Sequence, residues 1–178
     1  MRVRRVVTGH DGDGKAVFAS DEQVEALTLA LIPGAEFHRL WGADQAPTFP
    51  DDGGPTAQPS YFPPVGGYRF ALFTVPPATA SVPADLDLQA ALAEMEEKLP
   101  GLLAYLERDN PGMHTTATID VEVVLSGEVI LELDDGVEKV LRPGDTVVQN
   151  ETRHRWGNRG TEPALLAVFL IGSHRAST

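Results

Sequence analysis

The sequence predicts a mainly β fold, an antiparallel barrel or sandwich with one inserted helical segment. Two observations carry this. Between residues 112 and 158, short apolar runs at 119–125, 129–133, 137–141 and 146–148 alternate with turn signals at Ser126-Gly127, Asp134-Asp135-Gly136 and Pro143-Gly144-Asp145. Short β-rich runs cut by glycine turns at regular spacing belong to all-β sheets that fold back on themselves. Only residues 85–109 carry a helical period instead.

From the start of the chain, a strand is expected at 3–7. GHDGDGK reads as a turn, because its glycines tolerate positive φ, and 16–20 returns as the hairpin partner. Residues 24–32 are apolar at most positions and close at Pro33-Gly34. They read as a buried strand or a short helix, and the alternation at 37–41 that follows agrees better with the strand. Residues 43–67 are rich in proline and glycine and form a loop. Their aromatics, Phe49, Tyr61 and Phe62, predict that the loop packs on the sheet. Residues 68–75 return as a strand and stop at Pro76-Pro77. In 85–109, Leu88, Leu92, Met95, Leu99, Leu102 and Leu106 recur three and four apart and share one helix face. Asp85 or Asp87 caps the start, and Glu94 and Lys98 form an i,i+4 pair. Pro100-Gly101 predicts a kink or a second helix that Pro100 opens. Residues 164–171 are apolar on both faces, as a central strand is, and a polar tail follows at 172–178.

With 178 residues and 42% hydrophobic content, the chain predicts one domain over 1–178 with a well-buried core. A formal net charge of -12 argues against nucleic acid and anionic membrane surfaces as partners. Cysteine is absent, so any metal must be held by imidazole, carboxylate or neutral oxygen. No apolar run approaches the roughly 20 residues a bilayer requires. The basic N-terminus lacks the apolar centre of a signal peptide, so a cytoplasmic location is expected.

The stretch 112–158 resembles the two motifs of the cupin superfamily. The first has the form H-x-H-x(3–4)-E-x(6)-G. Here His114 is followed by Thr116 at the second histidine position, Asp120 at the glutamate and Gly127 at the glycine. The second has the form G-x(5)-P-x-G-x(2)-H-x(3)-N. Gly144 opens it, Asn150 and Thr152 replace proline and glycine, and His154 and Asn158 close it, the histidine one residue early. The resemblance covers about a quarter of the chain. It implies a cupin-type jelly-roll barrel, a ligand-bearing face turned inward, and a homodimer with N-terminal strands paired across it.

Side chains alternate along a strand, so His114, Thr116, Thr118, Asp120 and Glu122 share one face. Ala117, Ile119, Val121, Val123 and Leu125 share the other. Alone, that pattern equally describes an amphipathic strand whose polar face meets solvent. The resemblance turns the polar face inward and implies that His114, Asp120 and His154 hold a divalent metal: Fe, Mn, Ni or Zn. Thr116 would orient a water. Trp156, Gln149, His38 and Arg69 are further substrate-binding candidates. Trp156 would be a wall, Gln149 a polar contact, His38 an additional polar group and Arg69 a fork for a carboxylate. Each also has a plainer reading, as core for Trp156 and as surface for the others. The expected function is a small-molecule enzyme, metal-dependent, of oxygenase, decarboxylase, isomerase or cyclase type. Its substrate would be an organic acid, an aromatic or a polyketide-like compound. Two alternatives stay open: a metal-free enzyme with a histidine general base, and a non-catalytic binder of a small ligand.

Overall fold

The computed structural model describes residues 1–175, so the end of the tail expected at 172–178 lies outside the described residues. In chain order its strands are β1 (Val3–His10), β2 (Ala16–Val24), β3 (Leu27–Leu29), β4 (Ile32–Ala43), β5 (Tyr68–Val75), β6 (Thr118–Ser126), β7 (Val129–Glu132), β8 (Glu138–Leu141), β9 (Thr146–Asn150), β10 (Arg155–Gly157) and β11 (Ala164–Gly172). One helix, α1 (Leu88–Lys98), lies between β5 and β6.

The strands form a β1-β2 hairpin, a three-stranded sheet β10-β7-β8 and a six-stranded sheet β3-β4-β5-β11-β6-β9. Every pairing is antiparallel. This is the double-sheet fold the strand rhythm predicts, with β11 central between β5 and β6 as its two apolar faces require. Barrel closure is corrected. Among the described residues the large and small sheets share no continuous ladder, so the architecture is a sandwich. The corner from β8 to β9 is a turn through Pro143-Gly144, where the missing proline N–H and a glycine at φ 93° end one ladder and re-aim the chain into the other sheet.

Two further expectations are corrected. The turn placed at Pro33-Gly34 falls earlier, at Ala30 and Leu31, and both Pro33 and Gly34 lie inside β4. A register shift between Leu27 and Leu29 absorbs the irregular start of the pairing. Of the kink or second helix expected at Pro100-Gly101, the interruption is there but no second α-helix follows. After α1 the chain makes only a 3-10 turn at Leu102–Ala104, because Gly101 takes φ 80° and breaks the helical path. Asp87 caps α1 by accepting from the Gln89 and Ala90 amides at 3.0 and 3.1 Å. Met95, Leu99 and Leu102 then pack with Phe62, Ala71, Val168 and Leu170. Glu94 accepts from the Ala30 amide at 2.9 Å, and Lys98 donates to the Thr28 carbonyl at 2.8 Å. The helix thereby seals the β3–β4 turn.

The loop 43–67 is pinned at both ends. Arg69 donates to Asp44 at 2.5 Å, to the Ala43 carbonyl at 3.0 Å and to the Ser60 carbonyl at 3.2 Å. At Gly172 the loop crosses so closely that a Cβ would stand 1.8 Å from the Pro64 carbonyl oxygen. Gly172→Ala is therefore expected to cost about 1–3 kcal/mol in denaturant unfolding, the usual penalty of overpacking. Gly12→Ala, where a Cβ meets nothing within 4 Å, should be close to neutral. Equal effects of the two would show that the loop is not pinned there.

Candidate active site

Strand β6 buries its polar face. Thr118, Asp120, Glu122 and Val124 point into the sandwich, while Ile119, Val121 and Leu125 face outward. Asp120 and Glu122 are each only 4% exposed. Register continues the polar row, since Asp120 stands opposite Leu170 on β11 and Gln149 on β9. The face assignment read from alternation is thus the observed one, with the polar side inward.

His114 and His154 come from different segments and meet as a cross-strand pair. The His114 amide donates to the His154 carbonyl and the His154 amide to the His114 carbonyl, both at 2.9 Å. Their rings then lie on one side of the bridge, centroids 4.2 Å apart. Each ring is oriented in the same way. The His114 Nδ1 lies 3.0 Å from the Gly112 carbonyl, and the His154 Nδ1 lies 2.8 Å from the Thr152 carbonyl. A carbonyl only accepts, so both Nδ1 atoms carry the proton and both Nε2 atoms keep their lone pairs. Burial pushes His114 below the ordinary histidine value. Burial, and then the neighbouring His114, push His154 down to about 4. Both imidazoles are neutral at pH 7.

The carboxyls shift the other way. Burial raises Asp120 to about 6, against a hydrogen bond with Thr118 that favours its charged form. Burial, then Asp120, raises Glu122 well above the usual range. Asp120 Oδ1 and Glu122 Oε2 have no hydrogen-bond partner. Both carboxyls and both histidines line a pocket of about 220 Å³. Its walls are Phe37, Phe73, Trp156, Tyr61, Phe62 and aliphatic side chains.

The other candidates fall elsewhere. Thr116 is buried, and its hydroxyl bonds that of Thr118 at 2.7 Å, behind Asp120. Gln149 is buried beside Asp120 in register and accepts from Thr152 at 2.7 Å, but does not line the pocket. Trp156 does line it. Arg69 is bound to Asp44 and the loop carbonyls, away from the lining. His38, fully buried, sits opposite Leu72 on the far side of the sheet, its Nδ1 3.3 Å from the Val24 carbonyl. Asn158 anchors the chain, donating to the Val75 and Glu162 carbonyls at 3.0 and 2.8 Å. Glu122 and Tyr61 were not among the sequence candidates. Glu122 was discoverable, since it lies two residues after Asp120 on the same face. Tyr61 arrives from a loop whose course no local pattern sets.

As a metal centre the donor set is incomplete. The free imidazole nitrogens suit a divalent cation, and the orphaned carboxylate oxygens are of the right chemistry. Yet among the described residues no three His, Asp or Glu side chains are gathered closely enough to hold an ion. The arrangement does not fit a three-ligand centre.

The carboxyl burial has a measurable sign. Asp120 binds its proton more tightly folded than unfolded, so its contribution is undiminished below pH 4 and is lost as pH rises toward 6. Asp120→Asn removes that loss. The variant should unfold at a higher temperature than wild type above pH 6, and the gain should vanish below pH 4. A variant less stable than wild type at pH 8 would contradict the assignment.

Residues 107–171 match a family model described as a cupin domain. The chain is 27% identical over 183 residues to "Cupin-domain-containing oxidoreductase fogC" of Aspergillus ruber, covering 96% of this chain and 72% of that one. It is 30% identical over 156 residues to "Phomopsin biosynthesis cluster protein C'" of Diaporthe leptostromiformis, covering 87% and 70%. It is 30% identical over 139 residues to "Oryzines biosynthesis cluster protein J" of Aspergillus oryzae, covering 69% and 78%. Among solved structures, a protein described as a predicted oxalate decarboxylase from Thermotoga maritima aligns with TM-score 0.46 and 14% identity, covering 83% of this chain and 92% of that one.

Proposed function

The chain belongs to the cupin superfamily, and from that premise we propose that it is a small-molecule biosynthetic enzyme, an oxidoreductase as its Aspergillus ruber relative is named, working in the pocket between its sheets. One observation carries the reading: two neutral imidazoles and two carboxyls that hold their protons tightly share one aromatic-walled cavity.

Groups whose environments drive their proton affinities in opposite directions are the ingredients of acid–base chemistry. Oxidising a carbon–hydrogen or oxygen–hydrogen bond removes a proton and an electron pair; the pair passes to a diffusible oxidant that enters with the substrate, such as molecular oxygen, and the proton leaves through the protein. A lone pair on His114 or His154 Nε2 receives it, and the backbone carbonyl at each Nδ1 steadies the imidazolium that forms. Glu122, whose proton affinity burial raises, is the group of the pocket suited to return a proton to a developing oxyanion. The aromatic walls bind the body of the substrate and exclude water. An aromatic or polyketide-like compound suits such walls. An organic acid suits them less, because Arg69 is engaged with Asp44.

The histidine pair favours a second reading, a cation held at the two free Nε2 atoms. A divalent metal there would supply Lewis acidity. Holding it firmly would require Asp120 to swing toward the imidazoles.

Extracts of the source organism, incubated with wild-type protein and followed by untargeted mass spectrometry, should show a metabolite consumed. His114→Ala/His154→Ala should leave it untouched. Consumption should persist after chelation, and tag-free protein should carry far less than one metal per chain. Stoichiometric metal that disappears in His154→Ala would replace the acid–base reading with the metal one. Consumption unchanged in the double variant would overturn both.

A cytoplasmic, single-domain homodimer completes the proposal. Among the described residues no helix is long and apolar enough to cross a membrane. The outer face of the six-stranded sheet supports the dimer. Phe70, Phe169, Val121 and Val148 stand in one cross-strand row, each at least 38% exposed. Monomeric proteins rarely leave such a stripe bare. Sedimentation should give twice the chain mass for wild type and a shift toward monomer for Val121→Lys. Monomeric wild type would exclude the dimer.

A further inference from the structure

The pocket contains an imbalance that proton transfer alone does not explain. Asp120 and Glu122 lie two apart on the inward face of β6, nine-tenths or more buried, each with an oxygen lacking any partner. Buried carboxyls ordinarily face an arginine, a lysine or a set of amides. Here the pocket lining includes no lysine or arginine among the described residues. Arg69 is held by Asp44, and Arg39 donates to the Gln58 carbonyl at 2.9 Å outside the lining.

The walls have the same preference as the carboxyls. Phe37 meets Tyr61 edge to face at 6.5 Å, Tyr61 meets Phe62 at 4.9 Å, and Phe73 meets Trp156 at 6.4 Å. Aromatic faces carry negative quadrupole density and attract cations, most strongly where water is excluded. The two imidazoles of the lining present lone pairs, and its other polar side chains, Tyr61, Thr74 and Trp156, are uncharged. The field of a chain with net charge -12 draws cations toward any such cleft.

We propose that the substrate carries a positively charged nitrogen on an apolar or aromatic body, the ammonium seated between Asp120 and Glu122 and the body against Phe37, Phe73 and Trp156. This rests on the reading of the pocket as the substrate site. It adds the substrate's charge, which neither the family nor the proton chemistry specifies. An ammonium donates up to three hydrogen bonds and would satisfy both orphaned oxygens at once. A carboxylate in the same place would stand against two carboxyl side chains with no cationic partner in the lining.

Three probes of one shape test this by isothermal titration at constant pH: 2-phenylethylammonium, 2-phenylethanol and 3-phenylpropionate. The ammonium should bind at least about tenfold more tightly than the alcohol, as expected for a desolvated cation between aromatic faces and carboxylates, and the propionate most weakly. Glu122→Gln, which keeps the side-chain shape, should bring the ammonium to within about threefold of the alcohol. Asp120→Asn provides the same comparison should the glutamine variant fail to fold. Alcohol binding equal to ammonium would overturn the charge assignment and leave a neutral small-molecule pocket intact. Tightest binding by the propionate would overturn it in favour of an anionic substrate. If no probe binds while the extract still loses a metabolite, this inference falls and the enzyme reading stands.

Discussion

The structure depends on one inversion: strand β6 turns its carboxylic acids inward and its valines outward. A buried carboxyl without a partner costs roughly 1–3 kcal/mol, and β6 carries two such groups side by side. The surroundings limit that cost in one way, by raising the proton affinity of both groups. The hydroxyls of Thr116 and Thr118 supply the polar contact nearest Asp120. Strand β11 supplies the rigidity. It pairs with β6 over the whole of that strand's inward row, and its own inward residues, Leu166, Val168 and Leu170, are fully packed.

The histidine bridge is the second fastener. His114 and His154 exchange both amide hydrogen bonds, joining the segment before β6 to the segment before β10. β10 belongs to the small sheet and β6 to the large one. The two side chains best suited to chemistry therefore stand where the two sheets are tied together. Each ring is held by the carbonyl two residues upstream, so its orientation follows from backbone that the bridge itself fixes. Arg153 and Arg155 reinforce the same seam from outside, pairing with Glu107 at 2.6 Å and Glu132 at 2.7 Å. The face alternation of 153–158 thus divides structure from chemistry: arginines lock the seam while His154 and Trp156 enter the pocket.

Much of this was legible in the sequence because the signals are local. Alternation grouped the residues of each face of β6, the motif resemblance turned the polar face inward, and the spacing of His154 and Asn158 marked the second motif. Strand β5 matches its expected bounds, since Tyr68 and Val75 stand against Gly67 and Pro76, which punctuate both ends. What was not legible depends on distant backbone. Arg69 looked like a substrate fork, but whether a guanidinium is free depends on where Asp44 and Ser60 lie, and these belong to a loop without periodicity. His38 looked like a strand histidine near a pocket. Phe37 faces the pocket, so alternation turns His38 to the other side of the sheet, where Val24 covers it, and residues 37–41 alone do not say which side holds the pocket. Barrel closure failed for a related reason. The rhythm of strands and turns predicts antiparallel neighbours, but whether the last edge meets the first depends on strand tilt and stagger, which no single strand encodes.

The same distinction separates the site's chemistry from its selectivity. The imidazoles are fixed by short-range backbone geometry and tolerate no other tautomer where they sit. The aromatic wall is assembled from four distant segments: β4 gives Phe37, the pinned loop gives Tyr61 and Phe62, β5 gives Phe73 and β10 gives Trp156. Of these, only the loop is free of a ladder, and it is held by Arg69, by the close approach at Gly172, by Arg39 on the Gln58 carbonyl at 2.9 Å and by the Tyr61 amide on the Pro100 carbonyl at 2.8 Å. A change in the loop can therefore alter which molecule fits without moving the groups that transfer its protons. The buried Arg69 guanidinium thus stabilises the part of the aromatic wall that the sheets do not build.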